Sequence, residues 1–241
     1  MGKLTDVIKT LIIVNVIVFF LPRLINLDLT NILALHFPKN EHFGFWQYVS
    51  HMFMHGSPMH LLFNMYGLWA FGTPLEQMWG KNKFLFFYFS AGIGAGLIYT
   101  LADYYQFNGV YEQLINLGVS ASEIQTILES GRYNDEIINL SNEKMSEFYA
   151  LYHTPAVGAS GAVYGILVAF GIAFPDAKLA LIFFPVPIAA KFFIPLMIFG
   201  DLFFGVTKYS VGNIAHFAHI GGALIGFIIA WYWKKNQFRM Y

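Results

Sequence analysis

Apolar residues fall into blocks along this chain. A bilayer core about 30 Å thick takes roughly 20 helical residues, with about 17 to 25 tolerated. Six blocks come near that length: Lys9–Ile25, His60–Trp79, Lys83–Ala102, Gly158–Ala173, Ala190–Val206 and Ala215–Trp233. The stretch Leu179–Ile188 is shorter and holds Pro185 and Pro187, so it reads as a reentrant or interfacial connection rather than a seventh span.

Two longer segments separate the blocks. Asn26–Met59 contains Trp46, His51 and His55. Asp103–Ala156 carries Asp103, Glu112, Glu123, Glu129, Asp135, Glu136, Glu143 and Glu147 against only Arg132 and Lys144. Within it, Ser120-Ala121-Ser122-Glu123 has capping-box spacing. Ile124, Ile127 and Leu128 follow on one helical face, Gly131 is a stop signal, and Met145, Phe148 and Leu151 make a second stripe. The spacing predicts two or three short amphipathic helices forming an acidic cap outside the membrane, a stabilising elaboration rather than a docking surface. The whole pattern predicts an all-α polytopic membrane protein: a six-transmembrane-helix bundle with a helical extramembrane insert between the third and fourth spans. Three regions follow: 1–102, with the long outer loop 26–59; 103–156, the acidic insert; and 157–241, the last three spans.

Composition agrees. Of 241 residues, 57% are hydrophobic and 12% charged, where a soluble domain averages about 25% charged. Formal net charge is zero, which gives no electrostatic reason to expect a nucleic-acid partner. With no cysteine, disulfides, thiolate metal sites and cysteine nucleophiles are excluded. Lys3 and Lys9 precede the first block, but no small-residue cleavage site follows Phe19-Phe20-Leu21-Pro22-Arg23, so it reads as a retained span. With the N-terminus inside, Lys3, Lys9, Lys81, Lys83, Lys178, Lys191, Lys234, Lys235 and Arg239 lie inside, against Arg23, Lys39, Arg132, Lys144 and Lys208 outside. The positive-inside rule puts both termini in the cytoplasm, the insert outside it, and the chain in a membrane read as a bacterial inner membrane.

Polar residues inside a bilayer are costly and mark function. His60 and Asn64 share a face of the second span at i, i+4. Ser160 opens the fourth span and His219 lies near the start of the sixth. All three even-numbered spans enter from outside, so these residues come to similar depth. The fourth block, 16 residues from Gly158 to Ala173, makes roughly 24 Å of helix, short enough to begin below the outer surface. Gly161 and Gly165 follow Ser160, and Gly222 and Gly226 follow His219, a small-xxx-small spacing that lets helix backbones pack together.

Together these residues resemble the rhomboid family of intramembrane serine proteases. The likeness lies in Gly158-Ala159-Ser160-Gly161-Ala162-Val163-Tyr164-Gly165, in Ala218-His219-Ile220-Gly221-Gly222 with Gly226, and in His51, His55, His60 and Asn64. The resemblance implies Ser160 as nucleophile, His219 as general base, and a dyad with no carboxylate orienting the histidine. It implies Tyr164 packed on the His219 ring, and His60, Asn64 and the Ser160 N–H stabilising an oxyanion. It implies transmembrane protein substrates and no cofactor or metal. Trp46 is followed by Gln47 where the family often has arginine, and the soluble-hydrolase elbow is absent because Ala162 fills its last position.

Other polar residues read as structural. His51 and His55, at i, i+4 without an accompanying carboxylate, suit loop hydrogen bonds better than a metal. His216 reads as structural, Asn15 as interhelical glue, and Asp201 as having a pairing or hydration role. Gly92-x-Gly94-x-Gly96 reads as helix packing. Two other functions compete with proteolysis: a catalytically silent binder of transmembrane helices, and a metal transporter lined by His51, His55, His60 and His219.

Overall fold

Helices occupy all six expected blocks. In chain order the elements are α1 (Asp6–Leu24), α2 (Thr30–Leu33), α3 (Gln47–Ser50), α4 (Pro58–Gly67), α5 (Thr73–Trp79), α6 (Lys81–Asn116), α7 (Ala121–Ser130), α8 (Asn142–His153), α9 (Ser160–Ala173), β1 (Lys178–Leu181), β2 (Phe184–Ala189), α10 (Ala190–Val206) and α11 (His216–Asn236). The structure is a computed structural model that describes residues 3–134, 138–181, 184–207 and 216–236. Asp135 and Glu136 of the acidic count, Lys208 and Arg239 of the orientation count, and Ala215 at the expected start of the sixth block lie outside the described residues.

Among the described residues, three helices are long and apolar enough to cross a bilayer: α1, α6 and α11. α9 is apolar but has only 14 residues, about 21 Å of helix. α10 carries Phe192, Leu196, Phe199 and Phe203 at helical spacing, and all four are exposed. An outward apolar stripe of that kind is stable against lipid and costly against water. The chain is an integral membrane protein.

A centre forms around α9. Gly161, Ala162, Val163 and the run Gly165–Phe170 are buried, and α9 packs against α4, α5, α6, α10 and α11. Its small residues make that possible. A Cβ on Gly222 would fall on the carbonyl oxygen of Gly161, and one on Gly226 would come within 2.5 Å of the Gly165 Cα. The two helices therefore meet backbone to backbone, at the glycines their spacing singled out. The glycines of the third block pack as expected: Gly92 against Met52, Gly94 against Ile225, Gly96 against Tyr48 and Leu35.

A buried carboxylate secures the first helix. Glu76 of α5 accepts the Thr5 hydroxyl and the backbone N–H groups of Val7 (3.1 Å) and Ile8 (3.0 Å). These are first-turn donors with no partner inside α1, and the negative charge meets the positive helix end. Asn15, expected to bridge helices, donates to the Leu11 carbonyl of its own helix at 2.8 Å and also lies in reach of the Tyr88 hydroxyl of α6.

The expected boundary at 102/103 is not a break. α6 runs unbroken for 36 residues, about 54 Å, so the third block and the start of the insert are one rod. No helix breaker stands between Lys81 and Asn116 that could stop it: Gly109 is its only glycine past Gly96, and there is no proline. Beyond it, α7 has its capping box, with Ser120 and Glu123 exchanging bonds, and ends at Gly131 in the left-handed region at φ 69°. α7, α8 and the outer third of α6 enclose a second core of Phe107, Leu114, Ile124, Leu128, Met145 and Phe148. The stretch 179–188, expected as a reentrant or interfacial connection in an all-α fold, includes the antiparallel pair β1–β2, so the fold is not purely helical. Pro185 and Pro187 forbid helix, and a two-stranded sheet is all edge, where missing N–H donors are tolerated.

Candidate active site

Ser160 is the first residue of α9. No side chain caps that helix, so its first N–H groups remain available to an incoming carbonyl oxygen. The chain reaches Ser160 through Gly158, at φ 129°, a conformation other residues rarely adopt. The Gly158 N–H donates to the His51 carbonyl at 2.9 Å. A Cβ there would lie 2.8 Å from His60 Nε2 and 3.6 Å from Ser160 Oγ. The His60 ring and the serine hydroxyl thus border the same gap, which only glycine leaves open.

His219 stands in the second turn of α11. Its ring lies on Tyr164, with centroids 4.2 Å apart and planes 8° from parallel. Tyr164 is one turn beyond Ser160 on the same face of α9. Next to the two residues, a Cβ on Gly161 would lie 3.4 Å from the Ala218 carbonyl oxygen. The helix contact therefore brings the segments bearing Ser160 and His219 together. No hydrogen bond joins the Ser160 hydroxyl to the His219 ring in this state. Such bonds are often long before substrate arrives. Ser160, Gly158, Ala218, His51 and Tyr99 also line a small cavity beside the hydroxyl, large enough for about one water.

Asn64 is buried and its amide donates to the His60 carbonyl at 2.9 Å. That uses one of its two N–H bonds. His60 meets His55 edge to face, with centroids 5.0 Å apart.

Asp201 has the pairing role expected of it, with partners that the sequence did not name. The resemblance implied no carboxylate beside the histidine. Yet Asp201 Oδ1, from α10, lies 3.2 Å from His219 Nδ1 and 2.8 Å from His216 Nδ1. Because a carboxylate only accepts, both Nδ1 atoms carry hydrogen and donate to it. The spacing of three ionisable residues on two neighbouring blocks was visible, but nothing along the chain told which way α10 turns. The three ligand atoms lie within 4.8 Å of one another. The transporter set does not gather in this way among the described residues: His219 faces Asp201, His55 faces His60, and His51 Nδ1 bonds to the Gln47 carbonyl at 2.7 Å.

His51 and His55 are both buried, and His51 makes a loop hydrogen bond of the kind expected, to the Gln47 carbonyl. Burial pushes His51 down to about 4 and His55 down to about 3, the latter aided by the neighbouring His60. Both rings stay neutral at neutral pH. Gln47, in the position where arginine was expected, is buried. Its Nε2 donates to the His42 carbonyl at 2.7 Å and its Oε1 accepts the His36 N–H at 3.1 Å.

Helices with an outward apolar belt, around a short central helix bearing a serine and packed on a histidine-bearing helix, define a helical membrane protein. Comparisons with known proteins narrow this. The chain matches the Rhomboid domain over residues 42–128 and 135–236. It belongs to the rhomboid family. It is 28% identical over 183 residues to Rhomboid protein 1, mitochondrial, of Saccharomyces cerevisiae, covering 76% of this chain and 40% of that protein. It is 27% identical over 199 residues to the human Presenilin-associated rhomboid-like protein, mitochondrial, covering 77% and 38%. It is 29% identical over 124 residues to Rhomboid protease AarA of Providencia stuartii, covering 52% and 32%. The chain thus spans about two-fifths or less of the length of these relatives. They include mitochondrial and bacterial proteins, so the likeness does not favour a bacterial inner membrane over a mitochondrial one.

Proposed function

We propose that this chain is an intramembrane serine endopeptidase that cuts transmembrane segments of other membrane proteins. The carrying observation is the flat stack of Tyr164 on His219 one turn from Ser160, at a glycine contact that no larger residue would permit. Family membership and the likeness to a protein named a rhomboid protease support the same reading. In this reading the six apolar helices or helix pairs each cross the bilayer, both termini lie on the Lys-rich side, and 103–156 lies on the other.

The chemistry follows from residue types. A serine hydroxyl is a weak nucleophile until a base takes its proton. His219 Nε2 is the free ring nitrogen, since Nδ1 donates to Asp201. It accepts the Ser160 proton as Oγ bonds to the substrate carbonyl carbon. The carbonyl oxygen gains negative charge and meets the uncapped N–H groups at the start of α9, the second N–H of Asn64 and the His60 ring. Removing one such donor typically costs about 2.7–4 kcal/mol of barrier. The protonated His219 then gives its proton to the leaving amine. Water, deprotonated by the same nitrogen, releases the acyl group from Ser160. A helical substrate must unwind locally for its carbonyl to reach Oγ, so small or helix-breaking residues are expected near the cut.

The test is incubation of purified protein in detergent with a single-span substrate. Wild type is expected to release two fragments, and Ser160→Ala none. Cleavage by folded Ser160→Ala would refute the proposal. A folded wild type that binds the substrate and never cuts it would instead favour the silent helix binder.

A further inference from the structure

Three polar side chains at the outer end of α10 and α11 converge where lipid or protein would otherwise surround them. Asp201 comes from α10, His216 and His219 from α11, and all three side chains are at most 13% exposed. A carboxylate so placed is costly unless its lone pairs are met. Asp201 Oδ1 takes two N–H bonds, one from each imidazole. His219 is then held on three sides: Tyr164 covers its face, Asp201 fixes Nδ1, and the α9–α11 glycine contact sets its height.

Resting on the proposed protease reading, we infer that Asp201 is a positioning residue for His219, so that the working unit is Ser160–His219–Asp201 rather than a dyad. The carboxylate selects the tautomer with hydrogen on Nδ1 and leaves Nε2 unprotonated toward the serine. It also stabilises the positive ring that forms when Nε2 takes the Ser160 proton, without accepting that proton itself. His216 occupies the same oxygen from the other side and keeps the carboxylate from turning away. The work of Asp201 is thus done through His219 and not by touching the substrate.

The consequence concerns α10. That helix supplies the carboxylate while exposing Phe192, Leu196, Phe199 and Phe203 on its far side. Any displacement of α10 that carries Asp201 off Nδ1 disarms the histidine.

Asp201→Asn keeps the side-chain volume and removes the charge and the tautomer selection. With the full-length protein in detergent, kcat is expected to fall by about 100-fold or more while KM stays within about threefold. A merely structural role would move the thermal midpoint or KM and leave kcat per folded enzyme unchanged. A double-mutant cycle separates the two histidines. If Asp201 acts through His219, adding Asp201→Asn to His216→Ala still costs about 100-fold. If it serves only to hold His216, the second change costs nothing, and the inference is overturned. It is equally overturned if the wild type loses its rate on treatment with EDTA and regains it with Zn(II), because the three ligands would then hold a cation. Asp201→Asn at wild-type rate, beside inactive Ser160→Ala and His219→Ala, sinks this inference alone. Cleavage by Ser160→Ala sinks the protease reading, and this inference with it.

Discussion

Tyr164 lies flat on His219, the two rings 4.2 Å apart and 8° from parallel, and the tyrosine stands one helical turn from Ser160. The stack limits rotation of the imidazole about its side-chain bonds, so only a narrow set of orientations aims Nε2 outward from α11. Tyr164→Phe keeps the flat face and is expected to retain cleavage within about tenfold. Tyr164→Ala frees the ring, and the expected loss of kcat is about 100-fold, because misplacement by about 1 Å has that cost. Initial rates on a single-span substrate check both.

The α9–α11 contact makes a second prediction. Gly222→Ala and Gly226→Ala insert a methyl into the backbone of the facing helix. The helices must separate, which shifts Ser160 relative to His219 and costs packing across the most extensive helix contact among the described residues. Overpacking of this kind typically costs about 1–3 kcal/mol or more. Both variants are expected to show a lower thermal midpoint and a loss of cleavage. Gly109→Ala, where nothing lies within 4 Å of an added Cβ, is the control and should leave both unchanged.

Much of this contact was legible beforehand. The order of blocks, the Ser160 and His219 segments, the glycine spacings and the capping box at Ser120 all follow from periodicity and residue type. What the sequence concealed depends on rotation and on partners far along the chain. Glu76 reads as one acid near the inner end of the second block, and its three donors lie about 70 residues away at the start of α1. Asp201 reads as an acid with a pairing or hydration role but no named partner, because the facing of α10 is set by packing and not by any pattern within it. The hairpin at 178–189 was hidden because a short apolar run with two prolines excludes helix without specifying a strand.

Glu76 supplies a third prediction. Glu76→Ala leaves buried N–H groups of α1 unpartnered, at a cost of about 1–3 kcal/mol. Glu76→Gln keeps an acceptor and should cost less. Because Glu76 touches none of Ser160, His219 or Asn64, cleavage by the folded fraction should remain near wild type. Thermal unfolding in detergent, paired with rates normalised to folded protein, separates the two effects.

The 103–156 segment is joined to the loop 26–59 rather than sitting apart from it. The Leu35 and Ala156 backbones exchange N–H···O bonds of 2.9 and 2.8 Å, Asn40 donates to the Tyr152 carbonyl at 2.9 Å, and the Tyr152 hydroxyl donates to the Lys39 carbonyl at 3.2 Å. Ala156 leads into Gly158 and Ser160. Excision of all of 103–156 would cut α6 mid-helix, so a core substitution is the cleaner probe. Phe148→Ala, at a fully buried ring stacked on Phe107, is expected to cost about 3–5 kcal/mol. It should also expose the loop 26–59 to limited proteolysis sooner than in the wild type.

His51 and His55 predict the acid response. In the folded protein burial holds them at about 4 and about 3, whereas in the unfolded chain they titrate near 6.5. As pH falls below 6.5 the unfolded state takes up protons that the folded state refuses. Stability is therefore full above about pH 7 and declines toward pH 4, by on the order of 1.4 kcal/mol per pH unit for each group within the window. The thermal midpoint should be lower at pH 5 than at pH 7, and His51→Gln with His55→Gln should flatten the difference.

Covalent capture at residue 160 probes the activated hydroxyl itself. Purified protein treated with a fluorophosphonate and digested should yield one phosphonylated peptide, modified at Ser160, and His219→Ala should yield none under the same conditions. An unmodified Ser160 in active protein, an adduct at another serine, or equal labelling with and without His219 would contradict the account.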